Sequence, residues 1–178
     1  STEAIVDKYN NKRSSITKAG KVSVSATDDT KLKALAGNVA YVSGTMLQAA
    51  VGGALVDNNI GTSDKKQQVR AQIKNTDITA VEGTDVDVSA TNTSGILSVA
   101  IGGVATRESG ALGVSVEGTK ATSTIYTNTE ASMTNSSITG AGTTDADKKE
   151  NGAKADVDVT ASNNSTIVNT ADGLAISG

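Results

Sequence analysis

The sequence predicts an all-β fold, a parallel β-solenoid of stacked coils with polar loop insertions. Three observations predict it. Three motifs recur in the same order at a spacing of about 60 residues. Their apolar residues alternate with Ser, Thr and Asp at the period of a strand with one face inward. The composition suits a thin core: aromatic residues make up 2 % of the chain, all three of them tyrosine, and Phe, Trp and Pro are absent.

Each observation has a physical reading. A compact globular centre is normally filled with large rings, whereas Val, Ile, Leu, Ala and Gly pack where sheets approach closely. Proline inside a paired strand removes a ladder hydrogen bond, so strands flanked on both sides avoid it. Fixed periods of this size mean a solenoid, a propeller or an array. A propeller's blades carry aromatic motifs, which are missing here, and a β-sandwich would not repeat in phase.

The first motif reads Ser14-Ser15-Ile16-Thr17, Thr76-Asp77-Ile78-Thr79 and Ser136-Ser137-Ile138-Thr139, with the isoleucines 62 and 60 residues apart. An alternating pair precedes it: Ala4/Val6, Ala71/Ile73 and Ala131/Met133. The second motif is Val22-Ser23-Val24-Ser25-Ala26, returning from Val86 to Ala90 and from Val157 to Ala161. The third is an apolar run with glycine. Ala36-Gly37-Asn38-Val39-Ala40 matches Ile101-Gly102-Gly103-Val104-Ala105 and Ala171-Asp172-Gly173-Leu174-Ala175, each run followed by a Ser-Gly pair at 43, 109 and 177. Further alternating stretches follow the first two copies, from Leu47 to Val56 and from Leu112 to Val116.

The whole of 1–178 is expected to form one solenoid segment, with repeats near 1–80 and 81–152 and a partial copy at 153–178. Each repeat holds several strands and is expected to make two or three coils. A turn of about 20 residues gives about eight or nine coils, a rod roughly 40 Å long at ~4.8 Å per coil. Helix is confined to the first dozen residues and Thr30 to Ala36, because β-branched residues, Gly and Asn dominate elsewhere.

Copies differ mainly by charged insertions: Lys8 to Arg13, Ser63 to Gln67, and Asp145 to Lys154. Solenoids accept insertions at coil corners, where a loop leaves the stacked strands paired. The third insertion, with Asp145, Asp147, Lys148, Lys149 and Glu150, is the candidate partner-binding loop.

The residue inventory excludes most site chemistry. Histidine and cysteine are absent, which removes Ser-His and Cys-His nucleophiles and the usual zinc ligands. Lys18 follows Ser15 at Ser-Lys spacing, by accident of the repeat. Gly52-Gly53 and Gly102-Gly103 are neither dinucleotide fingerprints nor phosphate loops, and they read as close backbone approach. Tyr41 and Tyr126 read as flanking the core. Asp85/Asp87 and Asp156/Asp158 fall on one strand face, a pattern that acid–base or calcium chemistry on polysaccharide can use. The first copy has Lys21 and Ser23 there, so the plainer reading is the polar half of alternating strands. Asp145 and Asp147 lack the regular spacing and glycine of a calcium loop. No enzyme activity and no cofactor are expected.

A net charge of −3 argues against nucleic acid. No apolar run is long enough to span a membrane. Ser1 opens the chain without a Met or a signal peptide, so an excised or processed fragment is expected.

The pattern resembles the repeats of very large secreted β-helical proteins of Gram-negative anaerobes, notably the fusobacterial leukotoxin and related autotransporter or haemagglutinin-like adhesins. The residues that carry the likeness are Asn135 to Thr139, Val157 to Ala161 and Leu97 to Ala105. The resemblance covers nearly the whole chain. It implies a right-handed parallel β-helix, secretion to the bacterial surface, and contact with a host-cell protein or glycan. It supplies no catalytic residues. A β-helical polysaccharide lyase or hydrolase and a purely structural spacer are the alternatives.

Overall fold

A computed structural model of the chain describes residues 1–44, 47–108, 112–140 and 155–177. Among them the chain forms twelve strands and no helix: β1 (Thr2–Val6), β2 (Ser14–Asp28), β3 (Lys31–Gly44), β4 (Gln48–Ile60), β5 (Gln67–Lys74), β6 (Thr76–Asn92), β7 (Gly95–Glu108), β8 (Gly113–Ile125), β9 (Thr127–Thr134), β10 (Ser137–Gly140), β11 (Asp156–Asn163) and β12 (Thr166–Ser177). Both stretches where helix was admissible are strands, β1 and β3. Their alternate residues turn inward, and that period-2 burial decides the conformation over local propensity. All strand pairings are parallel.

Every strand pairs with its counterpart in a neighbouring copy, 60 to 71 residues away. The chain therefore runs through a full repeat before it meets a ladder partner. This corrects the expected coil of about 20 residues: the ladders are at most three copies deep, not eight or nine. The motifs within a repeat stack on their own kind and not on one another, because each inward row (isoleucine on isoleucine, valine on valine) fits only its own register.

The chain divides into two interleaved units. The first comprises Ser1–Asp29, Asp64–Thr93 and Thr127–Asn164. It holds the sheet β1-β5-β9 and a second sheet in which β6 lies between β2 on one side and β10 and β11 on the other. The motif registers are those read from the sequence. Ile16, Ile78 and Ile138 align, as do Val22, Val86 and Val157, and Ala4, Ala71 and Ala131. Val69, Ala71, Ile73, Ile78 and Val88 are fully buried in the middle copy, with Ala4, Val6, Ile16, Met133 and Ile138 packed against them.

The corners of this unit explain the insertions. Asn75 and Asn135 each join two strands with φ of 49° and 47°, the left-handed conformation that Asn tolerates because its short amide bonds locally. The Asn135 amide donates to Asn75 Oδ1, and Asn75 Nδ2 donates to Asp7 Oδ1 at 2.8 Å. The first copy has Lys8–Arg13 at this corner, where Tyr9 and Lys12 form a small antiparallel bridge. A second corner bends β2 at Lys18 (φ 55°) and β6 at Gly83 (φ 74°). The third insertion falls at that bend. β10 ends opposite Ala80 and β11 resumes opposite Asp85, both still on β6. Asp145 to Lys154 itself lies outside the described residues.

The second unit comprises Thr30–Ser63, Ser94–Tyr126 and Ser165–Gly178, with sheets β3-β7-β12 and β4-β8. The insertion Ser63 to Gln67 follows β4 and runs into the first residue of β5, where the next copy has Tyr126 alone between β8 and β9. Here the sequence match of the glycine run slips by one residue. Ala36 and Ala171 both face Ala100, and Asn38 and Gly173 face Gly102. The inward series Leu32/Ile96/Ile167 and Ala40/Val104/Ala175 fixes the ladder, so glycine need not meet glycine. The Ser-Gly pairs are not equivalent either: Ser43 faces Arg107, and Ser177 faces Thr106.

Candidate functional site

Two outward faces carry the side chains open to a partner. In the first unit, Lys21, Asp85 and Asp156 form one exposed row across three strands, and Ser23, Asp87 and Asp158 form the next. With Val86 and Val157, Lys21 and the four aspartates line a shallow depression. Asp85 and Asp156 sit in adjacent register with like charge, which opposes pairing, while Lys21 supplies the opposite charge at one end. The sequence placed these carboxylates on one face, and the structure does bring them together. Among the described residues no group of three or more His, Cys, Asp or Glu is placed to hold a metal ion.

Near the first corner, Arg13 grips Asp77 with two hydrogen bonds, Nε to Oδ2 at 2.8 Å and Nη2 to Oδ1 at 2.6 Å, and Ser137 Oγ donates to the same carboxylate. The Arg13 bonds, and then that of Ser137, hold the Asp77 carboxyl down at about 2. Because the folded value is depressed, the pair's stabilisation is present above the ordinary carboxylate range near about 4 and is lost as pH falls toward about 2. Arg13→Gln should bring the Asp77 titration, followed by carboxyl NMR shifts, back up toward the ordinary value. An Asp77 titration that does not move would show that the arginine is not its cause.

In the second unit the outward face of β3-β7-β12 is apolar. Leu35, Val39, Tyr41, Ile101, Leu174 and Ile176 are all exposed on it. Gly37 and Gly103 interrupt their rows, so the side chains around them, Asp172 among them, border a groove. A parallel sheet apolar on both faces is ordinarily covered on both, and a contiguous exposed apolar patch marks an interaction surface. Tyr41 thus stands on the outer face rather than beside the core.

The inner face of this unit holds a carboxylate. Glu117 of β8 aligns with Gly52 of β4, and its side chain occupies the space over Gly52, Gly102 and Gly173, so a Cβ at Gly102 would fall on it. Both Glu117 oxygens are buried without a hydrogen-bond donor among the described residues. Nearby rows are better satisfied: Asn58 Nδ2 donates to Ser98 Oγ at 2.7 Å, Ser98 bonds Ser123, and Ser123 Oγ donates to Asn169 Oδ1 at 2.6 Å.

The chain matches no family model, no curated protein and no solved structure. The reading of the site therefore rests on its geometry. Among the described residues no helix is long and apolar enough to cross a membrane. The candidate loop residues Asp145, Asp147, Lys148, Lys149 and Glu150 lie outside the described residues, so the structure neither adds to nor removes from that expectation. The apolar outer face was missed in the sequence. Its signal was there, in runs such as Val99 to Ala105 that carry no polar side chain at odd or even positions.

Proposed function

We propose that the chain is a stiff binding scaffold: a segment of a right-handed parallel β-solenoid belonging to a secreted or surface-displayed bacterial virulence factor, contacting a host-cell protein or glycan. The observation that carries the binding role is the exposed apolar face of β3-β7-β12, with Leu35, Val39, Ile101 and Leu174 beside its glycine groove. In-register stacking of three copies supports the scaffold reading, since parallel ladders hold that face in fixed geometry. The bacterial surface and the host cell come from the sequence resemblance alone.

The test is binding of the labelled chain to host cells. The variant Leu35→Ser/Val39→Ser/Leu174→Ser should lose most of the binding, at an unchanged melting temperature because these side chains already face solvent. Loss on deleting Asp145 to Lys154 instead would move the contact to the loop. A wild-type chain that binds no cells removes the adhesin reading. The outward rows Asp85/Asp156 and Asp87/Asp158 favour one other reading, action on polysaccharide, and turnover of an anionic glycan would replace the adhesin reading with it.

A further inference from the structure

The two units place their large apolar side chains differently. In the first unit Val69, Ile73, Ile78 and Val88 turn inward and are fully buried, and outward rows carry Lys21, Asp85 and Asp87. All seven leucines of the chain lie in the second unit. Leu32 alone turns inward, while Leu35, Leu47, Leu55, Leu97, Leu112 and Leu174 are exposed. The interior mixes Ile96 and Val104 with Ala100, Asn58, Ser98 and the carboxylate of Glu117. The apolar exterior has two faces. Besides β3-β7-β12, the outer face of β4-β8 carries Val51, Leu55, Val114 and Val116, each more than half exposed. β7 is flanked by a strand on each side, yet its Leu97 and Ile101 remain 39 % and 51 % exposed. Further copies on the ladders would lengthen these faces without covering them. A protein docked on one face leaves the other in water, whereas lipid surrounds both. Large apolar side chains outside a partly polar interior are the arrangement of a β-structure in a bilayer.

Charges mark where the apolar surface stops. Asn58 of β4 bonds Ser98 of β7, and Ser115 of β8 bonds Thr106 of β7. β4 and β8 therefore run opposite to β3 and β7, and Lys33 lies at the same end of the unit as Asp57 and Lys120. Lys31, Lys33 and Lys120 are exposed at that end, with Asp57 the one exposed acid among the described residues there. The outward row of β7 then runs uncharged from Leu97 to Ala105, and Tyr41 and Arg107 close its far end. This row is about 26 Å long at ~3.3 Å per residue, against ~25 Å for the apolar band of a membrane β-barrel. Lysine, arginine and tyrosine at its two ends are side chains that sit at headgroup level. Both ladder sides of β7 are paired, so lipid against it meets no open backbone group. Among the described residues Asp172 is the one charged side chain within the band, at a position held by Gly37 and Ile101 in the other copies.

We propose that the second unit is a lipid-binding lobe, which beds both outer faces in the hydrocarbon of a bilayer and sets Lys31, Lys33 and Lys120 against anionic headgroups. The proposal rests on the cell-binding reading, whose apolar face it uses, and makes lipid the contact there in place of a protein or glycan. It adds a second face, that of β4-β8, which the cell-binding reading does not need.

Co-sedimentation of the full chain with vesicles of phosphatidylcholine and phosphatidylserine tests it. The wild type should bind. Val51→Ser/Leu55→Ser/Val116→Ser should lose most of that binding at an unchanged melting temperature, since these side chains already face solvent. Lys33→Gln/Lys120→Gln should weaken it about thirtyfold at low salt. Asp172→Asn should tighten it several-fold by removing a charge from the band. The chain has no cysteine, so Ile101→Cys and Val51→Cys can each carry one environment-sensitive dye, one on each face. Vesicles should shift both dyes to the blue. A shift at only one of the two positions would mean one-sided docking and overturn the proposal. Binding to cells without binding to vesicles would overturn it too, and would leave the cell-binding reading with a protein or glycan partner. A chain that binds neither overturns both.

Discussion

Ile78→Ala is expected to cost about 2–5 kcal/mol of folding stability, seen as a fall in the urea midpoint at an unchanged slope. Ile78 is fully buried and has a neighbouring copy on each side, with Ile16 and Ile138 in register. Truncation there leaves a cavity that ladders on both sides keep from collapsing. Ile16→Ala removes the same methyl groups from the same motif, but Ile16 lies on an outer strand and is only half-buried. Its cost should be about half as large. Equal costs for the two would show that depth in the stack does not set stability.

Asn75→Val is expected to cost about 2 kcal/mol, against a far smaller loss for Asn75→Gly. Asn75 holds φ at 49°, where a β-branched side chain is strained by ~1–2 kcal/mol, and its amide bonds both Asp7 and Asn135. Glycine keeps the conformation and loses only the solvent-exposed bonds. The two substitutions share a second readout. The Asn75 hydrogen bond is the main cause that lowers the Asp7 carboxyl, ahead of the Lys8 amide. Both variants should therefore raise the Asp7 titration toward the ordinary value. Its contribution, present above the unfolded carboxyl range and lost as pH falls through the lowered value, should shrink with them, the Lys8 amide keeping the remainder. If valine were tolerated as well as glycine, the left-handed corner would not be a determinant of the fold.

Much of the ladder was legible in the sequence because inward rows repeat residue for residue. A one-residue slip of Val-x-Val-x-Ala or of the Ser/Thr-x-Ile-Thr motif would turn its apolar side chains outward. The glycine run was misread by one position because it offers little side-chain signal: with Gly102 and Gly103 adjacent, two registers look alike, and the distant pair Leu32/Ile96 decides between them. The length of a coil was misread for a different reason. A strand's alternation says which face is buried but not which strand lies beside it, and a ladder between copies leaves the same local pattern as one within a copy. The carboxylate rows were foreseen as a face. The apolar outer surface was not, since runs apolar at every position read equally as strands buried on both sides.

The distance between ladder partners bears on how the chain acquires its structure. Residues 1–66 contain four strands, and no two of them pair with each other. The first ladder the chain permits joins β1 to β5, closing a loop of more than 60 residues, and that closure entropy is spent before a neighbouring strand returns it. Afterwards each new strand meets a finished edge of matching sequence. For these strands the slow step is the meeting of two copies, after which growth of the ladders is templated. Among these strands, a copy finds a ladder partner only once the next copy is available to it.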